Sequence, residues 1–161
     1  MFIRLATPRD HARVADLIEA AFGQHDEALL VDALRKEGRV AYEWVATQME
    51  EPVGHLVLSK LKSPKHCLAL APVSVGPDHQ GEGIGSALIN AALEQAEDDG
   101  WAAVFVLGDP GYYARFGFDV GQASAFDTPY PAEFTGVAVL DAGAFQTLSK
   151  EIVYPKAFTL L

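Results

Sequence analysis

The sequence predicts an α/β fold: a mixed, mostly antiparallel sheet with one parallel strand pair and helices on both faces. Two blocks of chain carry that prediction. Residues 40–47 and 53–62 are two strand-like runs separated by a short connection, the pattern of an antiparallel pair. Residues 67–107 instead run strand, glycine-rich turn, long helix, strand, and a crossover of that kind joins parallel strands. All 161 residues are expected to form one domain, long enough for a real core.

A first strand is expected near residues 2–6, followed by a helix near 8–22 whose apolar Val14, Leu17, Ile18, Ala21 and Phe22 fall at helical spacing. Thr7 and Asp10 resemble a capping box, with Pro8 at the first helical position. A second helix is expected near 26–37, with Leu29, Leu30, Ala33 and Leu34 on one face and Gly38 as its stop. The hairpin connection falls in Met49-Glu50-Glu51-Pro52, where Pro52 leaves the turn type open. Then come a strand near 67–76, a helix near 84–99, a strand near 101–107 and a short helix near 110–116, with Asp109 as N-cap and Pro110 as first helical residue. Irregular chain follows through Asp127-Thr128-Pro129-Tyr130-Pro131, and a last strand lies near 134–140.

The most informative segment is Val73-Ser74-Val75-Gly76-Pro77-Asp78-His79-Gln80-Gly81-Glu82-Gly83-Ile84-Gly85-Ser86. Its glycines let backbone N–H groups approach a ligand without side chains in the way, and the helix start behind them adds unpaired donors and a positive dipole end. That is an anion site, suited to a phosphate or pyrophosphate. A P-loop would need Lys-Ser/Thr after its last glycine, and Ser86-Ala87 follows Gly85. The dinucleotide fingerprint would need glycine at Ser86 and an acidic strand end about twenty residues on, where this chain continues as one helix.

What remains is Gln-x-x-Gly-x-Gly, carried by Gln80, Gly83 and Gly85, with Val75-Gly76-Pro77 just upstream; it resembles the acetyl-CoA loop of the GCN5-related N-acetyltransferase (GNAT) superfamily. A second segment, Tyr113 four residues before Gly117-Phe118, resembles the Tyr-x-x-x-Gly-Phe ending of the same superfamily. Glu133-Phe134, Ile152-Val153-Tyr154-Pro155-Lys156-Ala157-Phe158 and Leu107-Gly108-Asp109-Pro110 are similar to its YhbS-like branch of predicted acetyltransferases, so the likeness spans nearly the whole chain.

The resemblance implies a GNAT fold whose parallel pair splays apart to admit the pantetheine arm, with acetyl-CoA as cosubstrate. It implies that Val73, Ser74 and Val75 pair with that arm by their backbone and that Gln80, Gly81, Glu82, Gly83, Ile84, Gly85 and Ser86 hold the pyrophosphate. Gln80 stands where arginine is common, so one cationic phosphate contact is expected to be missing. The implied reaction is acetyl transfer to a primary amine of a small molecule or peptide, with Tyr113 as general acid to the coenzyme A thiolate. Tyr112 is expected to pack or touch substrate, and His79 to sit at the surface or face phosphate. Glu43, His55, His66 and Asp109 are general-base candidates, each of which also fits a solvent-facing strand residue or, for Asp109, a helix cap. The asparagine common after the penultimate strand has no equivalent here; Gly108-Asp109-Pro110 stands there. Loops at 22–28 and 119–133, with Phe22, Asp26, Glu27, Phe126, Asp127, Tyr130 and Glu133, are expected to shape the acceptor site. A non-catalytic acyl-CoA-binding or scaffold module of the same fold is the alternative.

A net charge of −10 argues against nucleic acid as partner and favours a cationic acceptor. No apolar stretch reaches the roughly 18–20 residues of a membrane span, and no signal-peptide core follows Arg4, Arg9 and Asp10, so a cytoplasmic protein is expected. The single cysteine, Cys67, forms no internal disulfide and reads as a buried strand residue. No metal is expected, and a homodimer is compatible with the chain.

Overall fold

The structure, a computed structural model, describes residues 1–161. Six strands form one sheet in sequence order: β1 (Phe2–Leu5), β2 (Val40–Gln48), β3 (Glu51–Lys60), β4 (Cys67–Val75), β5 (Ala103–Leu107) and β6 (Thr135–Val139). Neighbours pair antiparallel except β4 and β5, which run parallel because α3 (Ile84–Asp98) carries the chain back over one face between them. Two other helices, α1 (His11–Phe22) and α2 (Asp26–Glu37), cover the opposite face. The sheet therefore separates two cores. Val14, Ile18, Leu30, Leu34 and Phe105 pack on the α1/α2 side, and Leu56, Leu58, Leu88, Ile89 and Val104 on the α3 side. The mixed sheet with helices on both faces is the expected architecture.

Several boundaries differ from the sequence expectation, each for a local reason. Pro8–Asp10 forms a 3-10 turn and α1 starts only at His11. Asp10 accepts the Thr7 backbone N–H at 2.8 Å while Arg4 grips both its oxygens at 2.8 and 2.9 Å, so its carboxylate is committed to the turn. In α2 the buried face is Leu30, Val31 and Leu34, whereas Leu29 is exposed. The hairpin turns on Met49 and Glu50 alone, both at positive φ (49° and 67°), and β3 begins at Glu51. Pro52 sits inside β3 opposite Thr47, where a register shift accommodates its missing N–H. β5 begins two residues later than expected, at Ala103, and β6 is confined to Thr135–Val139. Two short helices were not anticipated: α5 (Val120–Ala123) and α6 (Ala142–Gln146), capped by Asp119 and Asp141. No helix is long and apolar enough to cross a membrane.

The approach of α3 to β3 depends on one residue. A Cβ built on Gly54 would lie 2.6 Å from Ile84 Cγ2 and 2.9 Å from Leu88 Cδ1, inside contact distance. Gly54→Ala is expected to push the start of α3 off the sheet and to destabilise the fold by about 1–3 kcal/mol. Urea denaturation checks this, and an unchanged midpoint would mean that the helix gives way freely.

Candidate functional site

The β4–β5 pairing ends at Leu70 opposite Val106, yet β4 runs on to Val75. Beyond Leu70 the β5-facing edge of β4 has no strand beside it, so its outward amide and carbonyl groups are free to pair with an extended ligand. The α3 helix starts immediately past that edge. Gly81 and Gly83 adopt left-handed φ values of 80° and 82°, which turn the chain from Pro77–His79 into the first helical turn. The first-turn amides of α3 have no intrahelical acceptor and face outward with the positive end of the helix dipole.

A cavity of about 550 Å³ lies at this junction. Its lining includes Val73 and Val75 from β4, and Gln80, Gly81, Gly83, Ile84, Gly85 and Ser86 from the turn and helix start. Two of the ten residues named for cofactor contact do not present side chains to it. Ser74 is buried, with its hydroxyl unpartnered, and Glu82 is exposed beside His79, 3.5 Å from its Nδ1. Four further side chains join the site, of which only Arg115 had no expected place. His79 lines the cavity, and so does Tyr112, whose hydroxyl lies 3.4 Å from where a Cβ on Gly85 would stand. Arg115 also lines it, its guanidinium 4.4 Å from the Tyr112 ring centre. The cationic group that Gln80 does not supply is thus present, brought by the turn after α4 (Pro110–Tyr113). The fourth is Glu27.

Tyr113 belongs to an adjoining cavity of about 220 Å³ that shares Val73 with the first. Asp109 caps α4 by accepting the Gly111 N–H at 2.9 Å, which fixes the start of the helix that carries both tyrosines. The Tyr113 ring stacks edge-on to Tyr112 and Phe118, and a Cβ on Gly108 would come within 2.5 Å of it. Burial pushes the phenol up to about 12, with a smaller contribution from Tyr112, so it is a neutral O–H donor throughout the physiological range. Phe22 and Glu27 reach the same cavity from α1 and α2, and Glu27 is its only charged side chain. Gln24 Nε2 holds the Glu27 carboxylate at 3.0 and 3.1 Å. Both belong to the loop at 22–28 expected to shape the acceptor site, and the packing of α1 and α2 against the sheet brings them here.

The four base candidates fare differently. Asp109 is occupied as a cap. His66 is exposed at the opposite end of β4, ahead of Cys67, in a left-handed conformation (φ 63°). Glu43 and His55, expected as bases or as solvent-facing strand residues, are neither: buried His55 and half-buried Glu43 pair on the α1/α2 side of the sheet. His55 Nε2 lies 2.7 Å from Glu43 Oε2, and Arg35 grips both Glu43 oxygens at 2.6 and 3.1 Å. Neither Glu43 nor His55 lines the phosphate cavity or the Tyr113 cavity. Burial would raise the Glu43 carboxyl, but hydrogen bonds from His55 and Arg35 outweigh it and hold it down at about 2. Its folded value lies below its ordinary 4.5, so the pair stabilises the fold above that pH and loses its contribution as pH falls toward 2. Glu43→Gln is therefore expected to flatten the loss of stability between pH 5 and 2.5, a span over which this carboxylate loses on the order of 2 kcal/mol. Denaturation midpoints across that range check it; parallel curves for both proteins would remove Glu43 from the account.

Cys67 is buried, its thiol pushed up to about 12 by burial, so it is no nucleophile. Of the residues named for the acceptor loops, Phe126 is buried against Phe105 at 5.1 Å, and Tyr130 packs on Tyr154 at 4.9 Å. No cluster of three or more His, Cys, Asp or Glu side chains is arranged to hold a metal ion.

The chain is similar to known proteins over most of its length. The model of the acetyltransferase (GNAT) family matches residues 11–118. YhbS of Escherichia coli K12, described as an uncharacterised N-acetyltransferase, is 33% identical over 124 residues, 74% of each chain. The crystal structure of E. coli YhbS in complex with CoA superposes with a TM-score of 0.91 at 27% identity, over 98% of this chain and 91% of that one. A GNAT family acetyltransferase from Brucella melitensis, in complex with acetyl-CoA, gives 0.80 at 31% identity, over 98% and 97%.

Proposed function

This chain belongs to the acetyltransferase (GNAT) family, and from that premise we propose that residues 1–161 act as one N-acetyltransferase domain transferring acetyl from acetyl-CoA to a primary amine of a small molecule or peptide. One observation carries the proposal: the free edge of β4 beyond Leu70 leads from the glycine turn before α3 to the neutral hydroxyl of Tyr113. The residues present suit acetyl-CoA. The amides at 81–86, with Arg115 and His79, would hold the pyrophosphate, and the backbone of Val73 and Val75 would pair with the amides of the pantetheine arm.

When bound, acetyl-CoA supplies an acyl thioester that an amine nitrogen converts to an amide with loss of the thiol. Glu27 attracts the acceptor's ammonium and takes its proton, since only the free amine has a lone pair to attack with. A backbone N–H near Val75 donates to the oxygen on which charge develops. Tyr113 Oη gives its proton to the departing sulfur as the C–S bond breaks. Holding the two reactants together in the cleft supplies the remaining advantage, up to about 7–11 kcal/mol in favourable cases. A cytoplasmic setting suits the buried, reduced thiol of Cys67.

Calorimetric titration with acetyl-CoA, using desulfo-CoA, ATP and NAD as comparators, tests the proposal, followed by a thiol-release assay against a panel of amines. Micromolar binding confined to the CoA ligands, with turnover on an amine, is expected. Binding without turnover on any amine would leave an acyl-CoA-binding module. Failure to bind, in folded protein free of co-purified CoA, would reject the cosubstrate.

A further inference from the structure

Beyond Tyr113 lies a third cavity, of about 260 Å³, that the acetyl reaction does not need. It shares Leu70, Ala71, Leu107 and the exposed last residue, Leu161, with the Tyr113 cavity and is closed by Ala69, Phe105 and Phe158. All nine residues around it are hydrophobic, and the only polar side-chain atoms among them are the phenol oxygens of Tyr130 and Tyr154. Its position follows from the sheet. The phosphate cavity begins at the start of α3, on the face where Leu70 and Val106 are packed. Ala69, Phe105 and Phe158 belong to the core on the other face. The three cavities therefore pass through the gap where β4 and β5 part, with Tyr113 in the middle one.

A group attached to the thioester carbonyl and pointing onward past Tyr113 enters this third space. The acceptor nitrogen has no reason to do so. It arrives as an ammonium, for which Glu27 is the charged side-chain partner, and Glu27 lines the middle cavity but not this one, whose buried walls at Ala69, Phe105 and Phe158 are apolar. A hydrocarbon chain needs no such partner. At about 30 Å³ for a water-sized group, the chamber has room for several methylenes.

We propose that this chamber is an acyl-chain pocket, so that the chain binds acyl-CoA donors of about four to six carbons more tightly than acetyl-CoA. The proposal rests on the acetyltransferase reading above, extending it from the acetyl group to a longer saturated acyl group. The bonds made and broken are unchanged: the acyl carbon passes from sulfur to nitrogen, and Tyr113 protonates the sulfur.

The test is a calorimetric series on the purified wild-type protein with CoA, acetyl-CoA, butyryl-CoA and hexanoyl-CoA. Full burial of a methylene strengthens binding about fourfold, so hexanoyl-CoA is expected to bind at least about tenfold more tightly than acetyl-CoA. Ala69→Leu, which fills the chamber from its floor, is expected to keep the affinity for acetyl-CoA and lose the gain with hexanoyl-CoA. Should that variant not fold, the wild-type series decides alone. Equal or weaker binding of the longer chains beside normal acetyl-CoA binding overturns the proposal and leaves the chamber to an apolar part of the acceptor. The same gain in a folded Ala69→Leu variant overturns the location. Failure of CoA and acetyl-CoA themselves to bind overturns the parent reading and this one with it.

Discussion

Gly83→Val is expected to abolish acetyl-CoA binding, raising Kd by at least about 100-fold while the protein still folds. Gly83 is the N-cap of α3 at φ 82°, a conformation that costs a β-branched residue roughly 1–2 kcal/mol. That strain falls on an exposed turn rather than on the core. No protein atom lies within 4 Å of a Cβ built there, so the valine methyls project into open space at the cavity that the proposal assigns to the pyrophosphate. The variant loses by occupation and by turning the neighbouring amides away from a common focus. Calorimetry on a sample whose circular dichroism matches wild type measures the effect. A Kd within about threefold of wild type would move the phosphate site elsewhere.

Tyr113→Phe is expected to lower kcat about 100-fold or more with little change in acetyl-CoA affinity, within the range ascribed to a positioned general acid. The ring stays wedged between Gly108, Tyr112 and Phe118, so the substitution removes one oxygen and leaves the packing. The raised phenol makes a second expectation with a definite sign. A general acid is active while protonated, and this one is held up at about 12. No fall in kcat from loss of its proton should therefore appear below about pH 10. Wild-type turnover in the phenylalanine variant would leave the thiolate to be protonated by water, with Tyr113 a packing residue only.

How much of this was legible in the chain depended on the range of the interaction involved. The turn at 76–86 and the helix behind it could be read because glycine, proline and helical periodicity are local and lie within a few residues of one another. The ends of α2 were legible for the same reason, with acids in its first turn and Gly38 at its stop. The hairpin was located within Met49-Glu50-Glu51-Pro52 but drawn two residues too long, because Met49 and Glu50 occupy left-handed positions without being the Asn or Gly that usually announce a two-residue turn. The short helices α5 and α6 had their Asp caps in plain view, but four or five residues show too little periodicity to be distinguished from loop. Arg115 and the Arg35–Glu43–His55 cluster could not be assembled at all, and Glu27 was expected only as one of several residues in the 22–28 loop. Each depends on residues from different elements whose meeting is decided by how helices and strands pack, and no spacing in the chain encodes that.

If acetyl-CoA pairs with the free edge of β4 as proposed, that edge also ties the durability of the molecule to its supply of cosubstrate. The sheet is interrupted at its middle, where β4 outruns β5, and a ligand that pairs with those backbone groups completes it only in the folded state. Whatever binds only the folded form shifts unfolding in proportion to its concentration: about 2.7 kcal/mol at 100 times Kd. When acyl-CoA is scarce the population of opened molecules rises by the same factor, about 100-fold. The quantity of working enzyme in a cell would then follow the pool of donor through turnover of the protein as well as through saturation.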